Sequence, residues 1–364
     1  MVDMLGALRH VLEQGIPFAA FRWKGITRLW ATQQFVHADP AQLELNSRCF
    51  LVRPFDRNGP WGAILDPEVE LDLDAQRIDL DAITPLQGFT IPLADRPPVA
   101  WAREDHLVAV EEAKRHMQDD GLHKVVLART LSIPFPIQRL PELFIEGLAA
   151  HPNAFVCMVN SPFGLWLGAS PERLVSAEGG QVAVDAIAGT MPLDAAPKHE
   201  AGWGAKEREE QEIVTLAVEE AFRELDLREV TREGPDVLRA GHMAHLHTRL
   251  HARMGGVPLA RIVDRLHPTP AVCGTPTEAA IRFIREHEPQ DRSLYGGCWG
   301  PWDVDGRTEL FVNIRCLRAT QDHVHIHVGG GITAASVPED EWRETELKAQ
   351  AWLRPIEAML ARIP

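Results

Sequence analysis

The chain of 364 residues is long enough to bury a large core and, by length alone, could form two domains. Hydrophobic residues make up 45% of it and charged residues 24%, which is ordinary for a globular protein and excludes global disorder. The formal net charge of −15 argues against binding to nucleic acids, because phosphate backbones attract clustered lysine and arginine. An anionic substrate would therefore need a local positive charge from a metal ion or an arginine.

Cysteine usage and hydropathy indicate where such a protein works. The five cysteines are scattered and lack CxxC spacing, which favours a reducing compartment over a disulfide framework or a zinc site. The first residues show no basic stretch followed by a sustained apolar run, so we expect no signal peptide. No run of about 18 apolar residues is present, so we expect no membrane span and a cytoplasmic location.

The predicted elements begin with a short helix over residues 5–15, where apolar residues recur at helical spacing. Short strand-like runs, turns and prolines follow to about residue 100. The proline-rich segment at residues 92–101 is typical of a connector. We therefore separate residues 1–100 from residues 101–364, where the signals are sharper.

Helices and hairpins alternate in the second part of the chain. A strand is predicted over residues 124–130, and helices over residues 104–119, 141–151, 205–226 and 275–287 and from Ser336 past Trp352. Hairpins are predicted over residues 154–170, 173–189 and 309–329. The helix at 275 is expected to open with a capping box from Thr275 to Glu278, with Pro276 as its first helical residue, and the last helix with one from Ser336 to Glu339. Hairpins with intervening helices, without strict βαβ alternation, indicate an α+β fold.

Two of the predicted helices carry carboxylates that share one face. Glu207 and Glu210 continue an apolar stripe on the first, and Glu341, Glu344 and Lys348 share a face of the last. A buried pair of carboxylates needs a cation or a proton. Two interpretations stay open, a solvated charged face or a site in which oxygen ligands hold a hard cation.

Three other positions allow both a structural and a chemical interpretation. Lys124 opens an apolar strand, so it either reaches water or, if enclosed, acts as a general base. Glu172 follows a strand and is either a helix-capping carboxylate or a general acid. Arg315 lies among apolar residues and needs an anionic partner, either an internal carboxylate or one on a substrate. Glycines 329–331 permit close backbone approach to a ligand but lack the context of a dinucleotide site.

Taken together, these segments resemble the chorismate-utilising enzymes, which include isochorismate, salicylate, anthranilate and aminodeoxychorismate synthases. The matching motifs occur in the family's order and are KVVLAR (124–129), GASPERL (168–174), AIAGT (186–190), KEREEQ (206–211), LHPTPAVCG (266–274), NIR (313–315) and GGGITAASVPEDEWRETELK (329–348). The resemblance implies a single large α+β domain, with two packed antiparallel β-sheets and helices on the outside. Residues 1–100 would then be a divergent N-terminal part of this domain, and residues 101–364 its catalytic core.

The resemblance also implies a role for each candidate residue. A magnesium ion would bind Glu210 and Glu344, with Glu207 beside it. Lys124 would be the base that activates water, and Glu172 the acid that protonates the departing hydroxyl. The residues around the substrate would be Gly189, Thr190, Arg315, Gly329 and Lys348. Mg²⁺, the arginine and this lysine would supply the positive charge that chorismate, a dicarboxylate, needs in an acidic protein.

Two positions indicate which member of the family the chain resembles. Lys124 stands where anthranilate synthases generally have glutamine, and Ala188 where aminodeoxychorismate synthases have a nucleophilic lysine. Both favour water as the nucleophile, which leaves isochorismate and salicylate synthases. The motif LHPTPAVCG (266–274) looks more like that of isochorismate synthases, and the run YGGCWGP…LFVNIRC…HVGGGIT is similar to the menaquinone-pathway type. The alternative is a salicylate synthase, which also eliminates pyruvate. A silent chorismate-binding homologue and a magnesium-dependent phosphoester hydrolase are alternatives from other classes, although no phosphate-binding loop is present.

Two departures from the family pattern stand beside these matches. Gln211 occupies a position where the metal-helix motif commonly has histidine, and Val337 replaces the usual aspartate before Pro338. Neither removes an implied ligand. We expect chorismate as the binding partner of a monomer without an obligate protein partner, while a product destined for menaquinone, a siderophore or salicylate stays open.

Overall fold

A computed structural model of the protein describes residues 2–33, 35–38, 43, 48–59, 61–83, 86, 98–119, 121–240 and 243–362. The helices described there are α1 (Met4–Glu13), α2 (Arg103–Asp119), α3 (Leu140–Ala150), α4 (Ala205–Glu224), α5 (Leu259–Leu266), α6 (Thr277–His287) and α7 (Pro338–Leu360). Short 3-10 helices lie at Leu80–Ala82, Ile137–Arg139 and Glu200–Gly202. The predicted connector at residues 92–101 lies largely outside the described residues.

The strands, numbered in chain order, form two antiparallel sheets. The first sheet has the spatial order β14 (Gly274–Thr275), β7 (Lys124–Pro134), β18 (His323–Ile332), β17 (Cys316–Ala319), β9 (Gly164–Ser170), β8 (Phe155–Ser161), β1 (Phe18–Trp23), β2 (Ile26–Ala31) and β6 (Val69–Asp72). The second has the order β12 (Arg228–Ala240), β13 (Met243–Arg253), β11 (Gln181–Pro192), β10 (Arg173–Glu178), β16 (Arg307–Val312), β15 (Cys298–Trp302), β4 (Cys49–Arg53), β5 (Trp61–Leu65) and β3 (Val36–Ala38).

The two sheets pack face to face around an aromatic core. Phe155 of the first sheet stacks on Phe311 of the second, with ring centroids 4.2 Å apart. Helices α1, α3 and α7 cover the outer face of the first sheet, and α4 and α5 cover that of the second. Strands β8 and β9 are buried on both faces, which explains their nearly continuous apolar sequences. The predicted α+β fold of two packed antiparallel sheets with outer helices is confirmed.

Both predicted capping boxes are wrong. Thr275 belongs to β14, where it pairs with β7, and α6 begins after Pro276 without a side-chain cap. The Ser336 hydroxyl accepts a hydrogen bond from the Thr333 amide at 3.0 Å instead of capping α7. That helix begins after Val337, again without a side-chain cap. In both places strand pairing or a turn just before the helix occupies the residue that the local pattern marked as a cap.

The predicted strand over residues 309–316 is also wrong, because two strands of different sheets take its place. The chain leaves the second sheet after Val312 and enters the first sheet at Cys316. Arg315 lies in this crossing with a φ of +48°, a left-handed conformation that interrupts a strand. The hairpin of this region is formed by β17 and β18. Apolar residues flank the crossing on both sides because both strands are buried, so the sequence showed no break.

No helix in the described part of the chain is long and apolar enough to cross a membrane.

Candidate active site

A cavity lies between the two sheets, and side chains of both sheets, of α4 and of α7 line it. Six of the residues predicted for the site line this cavity, namely Glu172, Thr190, Glu210, Arg315, Gly329 and Lys348. They come from segments far apart in the sequence, and the crossing of the chain between the sheets brings the arginine among them. The structure therefore assembles most of the predicted site in one place.

Lys124 is enclosed in the protein and does not reach water. As the first residue of β7 it is only 1% exposed, and its Nζ lies 2.9 Å from Oε1 of Glu210 on α4. Gly331 of β18 makes room for this pair. A Cβ on Gly331 would lie 3.0 Å from Lys124 Cε and 2.5 Å from Glu210 Oε1. The geometry thus favours the chemical interpretation of Lys124 over that of a lysine at a solvated strand edge.

Glu172 is a buried carboxyl group that burial keeps protonated. It follows β9, is 3% exposed, and its Oε1 has no hydrogen-bond partner among the described residues. Burial, followed by the negative charge of Asp185, raises the pKa of Glu172 to about 8, although Lys124, Arg315 and Lys348 act to lower it. No helix of the described chain begins at this turn, so Glu172 is not a cap. A carboxyl group protonated at neutral pH is suited to donate a proton.

A bulge in β11 brings Thr190 into the site. Gly189 has a φ of +61° and shifts the strand register, so that Thr190 pairs with His245 of β13. A Cβ on Gly189 would lie 2.7 Å from the carbonyl oxygen of Glu207, so the first turn of α4 packs directly on this glycine. The Thr190 hydroxyl lies 3.0 Å from Nδ1 of His245.

Arg315 projects from the crossing segment toward the same histidine. Its guanidinium nitrogen lies 2.8 Å from Nε2 of His245. Burial lowers the pKa of Arg315 to about 10, and the nearby Glu172 opposes that shift. The arginine therefore stays charged at neutral pH in a buried cavity, where an anionic ligand would stabilise it.

Lys348 and Gly329 close another side of the cavity. The ammonium group of Lys348 donates a hydrogen bond to the carbonyl oxygen of Gly329 at 2.8 Å and lies 2.7 Å from Oε1 of Glu344, one turn earlier on α7. A Cβ on Gly329 would lie 2.5 Å from the hydroxyl of Tyr295. Only glycine lets the backbone come this close to the cavity wall.

The carboxylates of α4 and α7 are held by lysines. Burial acts to raise the pKa of Glu210, but the charge of Lys124 and its hydrogen bond lower it. Glu341 lies 2.9 Å from Lys206 through Oε1, whereas its buried Oε2 has no hydrogen-bond partner among the described residues. Burial and the charge of Glu344 raise the pKa of Glu341. This part of the site therefore concentrates negative charge that cations must balance.

The donor atoms of this region suit a hard cation. They are carboxylate oxygens, and the unpaired Oε2 of Glu341 is an atom that a cation would satisfy. Within the described ranges, no three side chains of His, Cys, Asp or Glu are already grouped to enclose an ion. The Oε2 of Glu207 lies against Gly204, at the start of α4. Metal binding by Glu210 and Glu344, with Glu207 beside them, stays a prediction.

Comparison with known proteins identifies the family. The model of the family described as "Chorismate binding enzyme" matches residues 95–357. The chain belongs to the chorismate-binding enzyme family. The expected family is therefore confirmed.

Relatives of this chorismate-binding enzyme include two proteins named as isochorismate synthases. Isochorismate synthase DhbC of Bacillus subtilis is 34% identical over 267 residues, which cover 69% of this chain and 67% of that protein. The salicylate biosynthesis isochorismate synthase of Pseudomonas aeruginosa is 32% identical over 273 residues, 71% of this chain and 56% of that protein. The solved structure of MenF, the menaquinone-specific isochorismate synthase of Escherichia coli, superposes with a TM-score of 0.78 at 21% identity and covers 97% of this chain and 91% of that one. This last likeness bears on the fold alone.

The structure of this chorismate-binding enzyme explains Gln211, one of the two departures from the family pattern, and gives no structural explanation for Val337. Gln211 is buried, accepts a hydrogen bond from the Ala188 amide at 2.7 Å and donates to the Ala186 carbonyl at 2.9 Å. It thus fixes the strand that carries the bulge at Gly189. Val337 is half exposed at the start of α7 and supplies no cap, whereas an aspartate there could accept from the free amides of the first turn.

Sequence reasoning missed several polar residues of the cavity wall. His245, Tyr295 and His327 all line the cavity. Burial lowers the pKa of His327 to about 3, so its ring is neutral, and its Nε2 has no partner among the described residues. The sequence of β18 could have revealed His327. Alternate residues of a strand face the same side of the sheet, so His327 lies on the side of Gly329 and Gly331.

Proposed function

We propose that this chorismate-binding enzyme is an isochorismate synthase, which isomerises chorismate to isochorismate with the help of Mg²⁺. The observation that carries the proposal is the pairing of an enclosed lysine, Lys124, with a buried carboxyl group that stays protonated, Glu172. Glu172 lines the cavity that Arg315 and Lys348 make locally positive, and Lys124 contacts Glu210, which lines the same cavity. An acid and two cations in the cavity wall, with a base directly behind the wall at Glu210, are what addition of water and loss of hydroxyl from a dicarboxylate require.

The proposed reaction balances without a redox partner. Lys124 reacts as the neutral amine, after giving up the proton of its ammonium form, and takes a proton from a water molecule as the water oxygen bonds to C2 of the substrate ring. The ring double bonds shift, the C4–O bond breaks, and Glu172 gives its proton to the departing hydroxyl, which leaves as water. One water enters and one leaves, so the product is an isomer of the substrate and the reaction is reversible.

Positive charge and donors in the cavity orient the two carboxylates of the substrate. Arg315 provides a rigid fork of N–H groups, and Lys348 a compact ammonium. Thr190 adds a hydroxyl, and the backbone at Gly329 leaves room for close approach. Holding the reacting carbon near Lys124 in this way lowers the entropic part of the barrier.

Glu210 and Glu344 would hold the magnesium ion, and the unpaired Oε2 of Glu341 offers a further oxygen near them. When bound, the ion would neutralise a substrate carboxylate and withdraw electron density from the ring. Three lysines contact these carboxylates and balance their negative charge, in the pairs Lys124–Glu210, Lys206–Glu341 and Lys348–Glu344.

The nucleophile is proposed to be water. Ala188, at the position of the nucleophilic lysine in aminodeoxychorismate synthases, lines the cavity with a methyl group that cannot attack. The curated relatives described above are named as isochorismate synthases, which supports this product. The motif pattern favours the menaquinone-pathway type, and the five buried cysteines, all free, fit a reducing cytoplasm.

Product analysis tests the proposal. Purified protein is incubated with chorismate and Mg²⁺, and the products are separated by chromatography and identified by mass. Isochorismate alone is expected. Salicylate with stoichiometric pyruvate in the absence of an added lyase would replace the proposal by a salicylate synthase, and tight chorismate binding without turnover would indicate a silent homologue. Hydrolysis of phosphate esters by this site would overturn it altogether.

A further inference from the structure

One histidine joins two of the residues that surround the cavity. His245 of β13 is 8% exposed and stands opposite Thr190 on the neighbouring strand. Its Nε2 lies 2.8 Å from the guanidinium of Arg315, and its Nδ1 lies 3.0 Å from the hydroxyl oxygen of Thr190. The imidazole ring therefore spans from the bulged strand of the second sheet to the segment that crosses between the sheets.

The chemistry of the arginine decides which nitrogen of His245 carries the proton. A guanidinium group has only donors, so Nε2 must be unprotonated and accept from Arg315. A neutral imidazole then has its hydrogen on Nδ1, which donates to Oγ1 of Thr190. Because that oxygen accepts, the hydroxyl hydrogen of Thr190 can point into the cavity that the residue lines. Arg315 and Thr190 thus both present donors to the same space.

We propose that His245 is a positioning residue that holds Arg315 and Thr190 as a preformed pair of donors for a carboxylate of the substrate. The identity of that substrate as chorismate rests on the proposed function. The two donors come from separate parts of the fold, and Arg315 occupies a left-handed backbone conformation outside the strands, so strand pairing does not fix its position relative to Thr190. A ring that bonds both removes part of the side-chain freedom that binding would otherwise cost.

Two amide variants separate the two contacts of the ring. In His245→Gln the amide reaches the position of Nε2 and can still accept from Arg315. In His245→Asn the amide reaches the position of Nδ1 and can still donate to Thr190, but the acceptor for Arg315 is lost. Losing a hydrogen bond to a charged group should weaken chorismate binding roughly ten- to hundredfold in the Asn variant, with KM rising more than kcat falls. The Gln variant loses only the neutral hydrogen bond to Thr190 and should weaken binding by less than about tenfold.

Calorimetric titration with chorismate measures this difference without requiring turnover, so failure of the proposed reaction would be seen separately. Weaker binding in Asn than in Gln supports the positioning role even if the product proves not to be isochorismate. Equal affinities in the two variants, whether weakened or at the wild-type level, would overturn it. Arg315→Lys combined with His245→Asn should weaken binding less than the sum of the two single changes, because the residues act through one contact.

The tautomer gives a test that needs neither substrate nor activity. In ¹⁵N-labelled protein, correlation spectra of the imidazole nitrogens distinguish protonated from unprotonated positions, and the His245→Asn spectrum identifies the signals of this residue. We expect a protonated Nδ1 and an unprotonated Nε2. A proton on Nε2 of His245 would contradict the contact with Arg315 and with it the inference.

Discussion

The ammonium group of Lys124 lies 2.9 Å from Oε1 of Glu210, which ties the start of β7 to the first half of α4. The lysine side chain is 1% exposed and the glutamate side chain 17%, so the pair is shielded from water. Removing one member of such a pair leaves the other as an uncompensated buried charge, which costs about 3–5 kcal/mol. The proposed base and a proposed metal ligand are therefore one structural unit, and variants of either need a stability control.

Replacing Lys124 by alanine should lower kcat by roughly 10²- to 10⁴-fold, the usual contribution of a positioned base. Chorismate binding should remain measurable, because Arg315 and Lys348 are untouched. Steady-state kinetics and calorimetric binding check both parts, with thermal unfolding as the stability control. The matched control is Lys198→Ala, a change of an exposed lysine, which should keep wild-type rates. Wild-type turnover in the Lys124 variant would remove this residue from the proposed role.

The pH profile should report the raised pKa of Glu172. The carboxyl group is protonated below about pH 8 and loses its proton as the pH rises through that value, so kcat should fall on the alkaline side near pH 8. Glu172→Gln keeps the shape but cannot donate the proton, and should lose activity together with this alkaline limb. Rates measured from pH 6 to 10 test this, with the exposed Glu357→Gln as control. An unchanged profile in the Glu172 variant would exclude it as the acid.

Gly331→Ala should lower activity by up to roughly a hundredfold, because displacing a catalytic group by about 1 Å has effects of that size. The added methyl group would push into Glu210 Oε1 and Lys124 Cε and separate the pair. Gly330→Ala is the matched control, since the nearest atom to its Cβ would be Glu341 Oε2 at an ordinary 3.4 Å. If both alanine variants keep full kcat, the pair does not need its observed geometry.

Replacing a carboxylate of α7 that binds magnesium should change the Mg²⁺ dependence of the activity. Glu344→Ala should raise the Mg²⁺ concentration needed for half-maximal activity and weaken Mg²⁺ binding measured by calorimetry, because a proposed oxygen ligand is lost. Glu346→Ala, on the same helix and exposed, should leave both values at the wild-type level. A Glu344 variant with the wild-type magnesium response would refute its assignment as a ligand.

The sequence predicted the elements well where each one carries its own pattern. The hairpin of β8 and β9 and the helix at Ala205–Glu224 follow directly from apolar runs, turns and helical spacing. The break at Arg315 was not predicted, because strands of two different sheets flank it and both are buried. Local pattern does not encode which sheet a strand joins, since that depends on pairing with distant segments.

The same limit applies to the site. The chemical role of Lys124 could not be decided from its own strand, because α4, far along the chain, supplies the carboxylate that encloses it. His245 stands out in the structure only because a bulge at Gly189 brings Thr190 opposite to it. The family resemblance supplied candidate roles that the residues alone left open, and the geometry shows which of those candidates share one cavity.

Isotope labelling of the product tests the central claim most directly. The proposed mechanism takes the C2 oxygen of isochorismate from solvent and releases the C4 oxygen of chorismate. Incubation of the enzyme with chorismate and Mg²⁺ in H₂¹⁸O, followed by mass spectrometry, should therefore show product with a single labelled oxygen, located at C2. Isochorismate formed without label would contradict attack by water, and with it the roles of Lys124 and Glu172.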